Sequence, residues 1–186
     1  MYSPSYSFIA GDRGQWKVEK MSCLAGEEME ATPFLDVRNE YVMQVPVDFR
    51  WLLRGISSKV RRSDLAVEKN SMLPLPQLGR ERATCACFIA MKRQESWWDM
   101  NDDEKSSHAW IGEDFYKEFP TVARQLHHCR ELGEPFDFIT WLEYFPEDEP
   151  KIDAMLASFR DSEEWQFVER EIDLRLVRRE DYLQAS

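Results

Sequence analysis

The chain has 186 residues, which is the length expected of one domain. Hydrophobic residues make up 43% of it and aromatic residues 13%, so a disordered acidic tail protein is excluded. The formal net charge of −11 argues against sequence-independent binding to the backbone of DNA or RNA. We expect a soluble, cytoplasmic protein without membrane contact, because the sequence carries no pattern of a secretory signal or a membrane span.

The apolar pattern predicts six strands. Two short strands, at residues 6–10 and 16–21, flank a turn at residues 11–14, and the stretch that follows up to residue 48 is less regular. Four longer strands are expected at residues 49–60, 83–91, 136–145 and 165–178. The strand at 83–91 is mostly apolar, which indicates that both of its faces are covered.

Three helices are expected between these strands. A short helix at residues 64–72 begins after Asp64 and ends before Pro74. Residues 97–130 are helical in character, and apolar residues recur at helical spacing in their second half: Phe115, Phe119, Val122, Leu126 and Cys129. The third helix carries an i, i+3, i+4, i+7 apolar stripe made of Ile152, Met155, Leu156 and Phe159.

This order of elements favours an α+β, ferredoxin-like fold with an antiparallel sheet and helices packed on one face. We expect a single domain over residues 1–186. Residues 1–48 would hold the N-terminal strands and an irregular segment, and residues 49–186 the ferredoxin-like core. The other face of such a sheet carries large apolar side chains, so it must cover a partner, a second sheet or a cofactor.

The four cysteines predict reduced thiols packed in the core. They lack the density of a small secreted disulfide scaffold. Cys85 and Cys87 share one face of a predicted strand, where neighbouring residues rarely form a sound disulfide, and the sequence has no CxxC pair.

Three side chains outside the apolar stripes point to chemistry. His108 lies beside Trp110, Arg124 lies off the stripe of its predicted helix, and Glu164 begins a strand that is otherwise core. A histidine, a carboxylate and an arginine around an apolar cavity fit a haem site, in which the imidazole binds iron and the carboxylate holds its second nitrogen. Taken singly, each residue is more often structural or solvated.

Several segments resemble the short, dimeric branch of the chlorite dismutase family. The densest is residues 123–144, ARQLHHCRELGEPFDFITWLEY. The others are residues 53–58 (LRGISS), 78–80 (LGR), 97–100 (WWDM), 162–165 (SEEW) and 167–176 (FVEREIDLRL). The resemblance extends over nearly the whole chain.

The resemblance implies a homodimer of ferredoxin-like α/β-barrel type that binds haem b between sheet and helices. It implies conversion of chlorite to chloride and dioxygen, in which chlorite is cleaved on ferric iron and hypochlorite is held by a distal arginine. Arg124 falls on that arginine, and Glu164 on the carboxylate that hydrogen-bonds the proximal histidine. His108, in a Lys-Ser-Ser-His context, is the candidate proximal iron ligand.

The chain departs from the family pattern around the iron ligand. A gapless alignment back from Arg124 puts the ligand position on Ile111 and leaves no ligand, whereas the intact Lys-Ser-Ser-His favours His108. Arg93 stands where the family usually has a lysine near the proximal carboxylate. Arg62 stands where a tyrosine usually contacts the haem periphery, and its guanidinium suits a propionate.

Further expectations concern the remaining aromatic and histidine side chains. Trp97 is expected to line the haem cavity, while His127 and His128 are expected to pack in the core or face solvent. Two alternatives to a chlorite dismutase stay open. One is a relative that acts on coproheme or peroxides, and the other is a non-catalytic dimer with impaired haem binding.

Overall fold

Eight strands and three helices form the part of the chain that the computed structural model describes, residues 4–57, 76–101, 105 and 118–183. The strands are β1 (Ser5–Gly11), β2 (Trp16–Ala25), β3 (Phe34–Arg38), β4 (Phe49–Ser57), β5 (Cys85–Arg93), β6 (Ala123–His128), β7 (Phe138–Tyr144) and β8 (Val168–Arg178). The helices are α1 (Glu95–Asp99), α2 (Glu149–Arg160) and α3 (Glu180–Leu183). Short 3-10 helices lie at Arg130–Leu132, Pro146–Asp148 and Glu163–Phe167.

The strands close into a barrel in the order β1-β3-β2-β8-β5-β7-β6-β4, and β4 pairs again with β1. Neighbouring strands are antiparallel throughout. β5 lies between β7 and β8 and is buried over its first six residues, as expected for a strand covered on both faces.

The predicted fold class was wrong. The sheet closes on itself, and α2 is the one helix of seven or more residues within the described ranges, so helices do not pack along one face of an open ferredoxin-like sheet. Two strands that the sequence pattern missed contribute to this closure. The irregular stretch before residue 48 contains β3, and the second half of the predicted helix 97–130 contains β6. Closure gives every strand two neighbours and leaves no sheet edge.

The helical spacing of apolar residues between Phe115 and Cys129 predicted a helix where the structure has β6. In the barrel, residues of β6 alternate between the inner and the outer face, and the inner positions hold the polar side chains of Gln125 and His127. Because the inward positions of β6 include polar residues, the alternation of apolar and polar residues that is typical of a strand does not show in the sequence. Hydrogen bonding to β4 and β7 along both sides decides the structure over the local spacing.

The other predicted elements agree better with the structure. Predicted strands at 6–10, 16–21, 49–60, 83–91, 136–145 and 165–178 correspond to β1, β2, β4, β5, β7 and β8, with shifted ends. The predicted strand at 165–178 begins within the 3-10 helix Glu163–Phe167, and the observed strand β8 begins at Val168. The predicted stripe of the third helix is confirmed, since its four residues are the buried residues of α2. The predicted helix at 64–72 lies outside the described residues.

The barrel interior is an aromatic core. Phe8, Phe88 and Trp141 pack there with ring centroids 5.2–6.1 Å apart. Gly55 allows the tightest approach, because a Cβ atom at this position would lie 2.6 Å from the Cβ atom of His127. The glycine therefore lets β4 and β6 close around a buried imidazole.

A second apolar cluster lies outside the barrel, where α2 covers β5 and β7. Its buried members include Cys85, Cys87, Ile89, Leu142, Tyr144, Ile152, Met155 and Leu156. Cys85, Cys87 and Cys129 are unpaired and buried, as expected of core thiols, whereas Cys23 is exposed and not in the core. Within the described ranges, no helix is long and apolar enough to cross a bilayer.

Candidate functional site

A cavity lies on the outer face of the β5–β7–β6 sheet, beneath α2. Its walls are mainly apolar and comprise Ile89, Met91, Leu126, Phe138, Leu142, Met155, Leu156 and Phe159. Three charged side chains, Arg93, Arg124 and Glu164, and the hydroxyl of Thr140 complete the described lining. A low-polarity chamber with a few charges suits a largely hydrophobic ligand that carries polar groups.

Strand alternation explains why these residues meet. Arg124 and Leu126 of β6 point outward, and the residues between them point into the barrel. On β7, Leu142 lies opposite Arg124, and on β5, Cys87 lies opposite Leu142. Arg93 lies six residues beyond Cys87 on β5. The α-carbons of Arg124 and Arg93 are therefore about 20 Å apart along the strands and about 10 Å apart across them.

Glu164 and Arg93 form a buried ion pair at one end of the cavity. Their side chains are 9% and 8% exposed, and an Nη2 hydrogen bond joins the guanidinium to Glu164 Oε1. Arg93 Nη1 also donates to the Glu164 carbonyl oxygen at 3.3 Å. Because one guanidinium holds both the carboxylate and the backbone of the same residue, the position of Glu164 in its 3-10 helix is tightly defined.

Trp97 packs against the guanidinium of Arg93 in this pair. The guanidinium carbon of Arg93 lies 4.4 Å from the centroid of the Trp97 ring, within the range of a cation–π contact. Trp97 packs in turn on Phe167, with ring centroids 5.6 Å apart. The backbone N–H of Arg93 donates to Asp137 Oδ2 at 2.7 Å. Trp97 thus contacts Arg93, and it is not among the described residues of the cavity wall.

Arg124 lies at the other end of the cavity, and residues that the sequence did not single out fix the start of its strand. Thr121 Oγ1 donates to the buried carboxylate of Asp148 at 2.6 Å. Arg80 Nη2 donates to the Thr121 carbonyl oxygen at 2.7 Å. In the sequence, the LGR motif drew attention to Arg80 but indicated no role for this residue, and nothing pointed to the contacts of Thr121.

The predicted site residues are partly brought together. Arg93, Arg124 and Glu164 line one cavity, while His108 and Arg62 lie outside the described residues, as does the alternative ligand position Ile111. Within the described ranges, no group of three His, Cys, Asp or Glu side chains could hold a metal ion.

His127 and His128 lie on opposite faces of β6. His127 is 1% exposed in the barrel interior, between the rings of Tyr6 and Phe8. Burial, with a smaller contribution from His128, lowers the pKa of His127 to about 3, so the imidazole is neutral at physiological pH. His128 packs against Phe138, with ring centroids 5.3 Å apart. Packing of these histidines agrees with the sequence-based expectation.

The fold and the cavity define a class of protein, a closed antiparallel barrel with a charged, apolar-walled chamber outside the barrel wall. No protein-family model matches the chain, and no curated protein matches it. Solved structures do match. The crystal structure of dimeric chlorite dismutases from Nitrobacter winogradskyi is 35% identical, with 94% of this chain and 99% of that chain covered and a TM-score of 0.80.

A second solved structure supports the same fold. Chlorite dismutase from Candidatus Nitrospira defluvii in complex with imidazole is 14% identical, with 99% of this chain and 94% of that chain covered and a TM-score of 0.64. The first match extends over nearly the full length of both chains at substantial identity. The chain therefore belongs to the chlorite dismutase family.

Proposed function

We propose that the chain binds haem b in the outer cavity and converts chlorite to chloride and dioxygen as a homodimer. The observation that carries the proposal is that Arg124 and the Glu164–Arg93 pair line one apolar cavity from opposite ends. Membership of the family supports the activity, and the dimeric relative from Nitrobacter winogradskyi supports self-association.

The described residues fit a haem group chemically. Eight apolar side chains on the sheet and on α2 suit a flat hydrophobic macrocycle. His108 would be the iron ligand, and Arg62 would contact the periphery. Glu164 is the carboxylate that would accept the second N–H of the imidazole.

Each charged residue then has a defined task. Bound haem would supply a redox-active iron for oxygen-atom transfer from chlorite. The fixed Glu164 carboxylate would make the His108 imidazole more electron-donating. Arg124 stays cationic and presents several N–H donors, so it would hold anionic oxygen species in a chamber of low polarity.

The test uses the full chain reconstituted with haem b. Arg124→Ala should take up haem like the wild type, because the eight apolar residues of the cavity wall stay in place, while dioxygen release from chlorite falls about 10²–10³-fold. The measurements are the Soret absorption band and an oxygen electrode. Arg13→Ala is the matched control, since the Arg13 side chain is 80% exposed and pairs with Asp48 away from the cavity.

Two outcomes would contradict the proposal. A wild-type chain without a Soret band after reconstitution excludes a haem enzyme. A haem-loaded chain that releases no dioxygen from chlorite excludes the chlorite activity, and turnover of peroxide or coproheme is then measured on the same sample. Sedimentation of the purified chain tests the homodimer separately.

A further inference from the structure

The half of β6 that carries Arg124 has backbone pairing on one side only among the described residues. β7 pairs with β6 along its whole length, whereas β4 pairs with residues 127–128 alone. Gln125 Nε2 adds one side-chain hydrogen bond to Ser57 Oγ on β4, at 2.8 Å. A strand that is paired on one side is held less firmly than one that is paired on both. The place of Arg124 in the cavity therefore depends on what holds the residues just before it.

Arg80 continues the ladder between β6 and β7 beyond its regular end. Its Nη2 atom donates to the carbonyl oxygen of Thr121 at 2.7 Å and to that of Glu143 at 3.4 Å. Glu143 of β7 is the partner of Ala123 in the end pair of the two strands. The Arg80 guanidinium thus joins the backbones of both strands three residues before Arg124.

An aromatic ring orients the Arg80 guanidinium. Its carbon lies 4.8 Å from the centroid of the Phe145 ring, within the range of a cation–π contact. The guanidinium carbon of Arg82 lies 5.3 Å from the same centroid, but Arg82 is exposed and pairs with Glu147 at 3.5 Å. The two arginines therefore share a loop and a ring and bond to different partners.

A buried ion pair fixes the loop that carries Arg80. The side chains of Glu143 and Arg178 are 7% and 8% exposed, and Arg178 Nη2 donates to Glu143 Oε2 at 3.3 Å. Glu143 Oε2 also accepts from the backbone N–H of Gly79 at 2.6 Å. Arg178 Nη1 donates to the Arg80 carbonyl oxygen at 3.1 Å. Each member of the ion pair thus binds the backbone from which the Arg80 side chain extends.

The ion pair is itself anchored at one end of the barrel interior. Glu143 follows Trp141 by two residues, so both side chains point inward, while Leu142 between them lines the outer cavity. Trp141 Nε1 donates to Glu143 Oε1 at 3.0 Å. The guanidinium carbon of Arg178 lies 4.9 Å from the ring centroid of Trp16, another residue of the barrel core. The loop is therefore tied to the packed interior and reaches from there to the strand of the cavity wall.

We propose that Arg80 is a positioning residue for Arg124, anchored by the Glu143–Arg178 pair, and that it sets where the Arg124 guanidinium lies in the cavity. This inference rests on the proposed function, in which Arg124 holds anionic oxygen species. A misplacement of about 1 Å of a group that must meet a reacting anion can lower the rate by about 10²-fold. A planar guanidinium can lie on a ring while it donates to carbonyl oxygens, which suits arginine at position 80.

The first test needs no haem. The side-chain Nε–H group of Arg124 is observed by NMR in the full-length, isotopically labelled apo chain and assigned by its loss in Arg124→Ala. The Arg124 Nε atom is buried, which slows exchange of its proton with water. Arg80→Met removes the hydrogen bonds to both strands, so we expect the Arg124 signal to shift and broaden. Arg82→Met is the matched control on the same loop and should leave the signal in place, because Arg82 pairs with Glu147.

The second test uses the haem-loaded chain with chlorite. Arg80→Met should take up haem like the wild type and lower kcat for dioxygen release by about 10-fold, whereas Arg82→Met should not lower it. In the Arg124→Ala background, Arg80→Met should have no additional effect, because the side chain that Arg80 positions is gone. A further loss of kcat in that background would overturn the inference, since a general structural role of Arg80 lowers the rate in both backgrounds.

The results separate this inference from the proposed function. An Arg124 NMR signal that stays unchanged in folded Arg80→Met overturns the inference whether or not haem binds. A wild-type chain that takes up no haem overturns the proposed function, and the NMR measurement still decides whether Arg80 positions Arg124.

A second variant keeps the inference testable if Arg80→Met does not fold. Gly79 has a φ of +79°, which disfavours alanine, although a Cβ atom there would meet no atom within 4 Å. Gly79→Ala should therefore displace the backbone of Arg80 without a steric clash and shift the Arg124 signal. An unchanged signal in Gly79→Ala would then overturn the inference in the same way.

Discussion

The two faces of the β5–β7–β6 sheet carry residues of the same strands but have opposite characters. The inner face packs Phe88, Trp141 and Ile139 into the barrel core. The outer face leaves a chamber beneath α2 and holds ionised side chains at both of its ends. Since adjacent residues of one strand point to opposite faces, a rigid wall and a reactive chamber are built from alternate positions.

Each face also handles buried polarity in its own way. His127, on the inner face, is neutral, and its Nδ1 atom has no partner within the described ranges. The outer face keeps its charges by pairing them, as with Arg93 and Glu164 or Arg160 and Glu171. The buried imidazole of His127 thus depends on neutrality, and the buried charges of the outer face depend on counter-charges.

The largest expected effect on stability comes from truncating a buried side chain on the inner face. Phe88 is fully buried in the barrel core, so Phe88→Ala should lower the free energy of unfolding by about 3–5 kcal/mol. Phe159 on α2 borders the outer cavity, so Phe159→Ala enlarges a space that already exists and should cost less. Urea denaturation of the apo chain measures both. Equal losses would contradict the contrast between a dense wall and an open chamber.

The second prediction concerns the paired charges of the outer face. Arg93→Met leaves the buried Glu164 carboxylate without its guanidinium, which should cost about 3 kcal/mol of unfolding free energy. Adding Glu164→Gln should recover most of that loss, because the uncompensated charge is removed. Denaturant titration of the single and double variants tests this. Failure of the second substitution to restore stability would show that packing of Arg93 on Trp97, and not its charge, is what matters.

The third prediction uses pH to address the inner face. The unfolded chain protonates His127 below about pH 6.5, whereas the folded chain keeps it neutral down to about pH 3. Stability is therefore fully present above pH 6.5 and falls as the pH is lowered. Between pH 6.5 and 4.5 the wild type should lose about 2–3 kcal/mol more than His127→Met, judged from unfolding free energies at each pH. Parallel pH profiles of the two proteins would exclude a buried neutral His127.

The smallest effect on stability is expected for the exposed ion pair between Lys92 and Glu169. Lys92 directly precedes Arg93, but its ion pair with Glu169 is exposed, with side-chain exposures of 40% and 47%. Lys92→Met should leave both the unfolding transition and haem uptake within the error of measurement. A loss comparable with that of Arg93→Met would mean that burial does not distinguish the two pairs.

Sequence reasoning reached those features that depend on local pattern. The stripe of α2 and the apolar runs of β5, β7 and β8 are visible because the buried residues recur at a regular period. β6 was missed, since its inward positions include Gln125 and His127, and β3 was missed because it has only five residues. Barrel closure depends on pairing between distant strands, which no local period records.

The candidate site shows the same division. The family resemblance pointed to Arg124, Arg93 and Glu164, and the fold brings them to one cavity. Residues that hold them in place were not found, because their partners are far along the sequence. Arg80 reaches Thr121 across 41 positions, and Arg93 reaches Glu164 across 71. Such contacts become visible only when the strands are assembled.

The position of β8 between β2 and β5 has a consequence for synthesis of the protein on the ribosome. β2 begins at Trp16, and its partner in the ladder at that point is Arg178. The barrel cannot close until residues 168–178 have left the exit tunnel, so the edges of β2 and β5 that pair with β8 stay unpaired until late in synthesis. Production of the folded protein should therefore respond to chaperones that shield exposed strands.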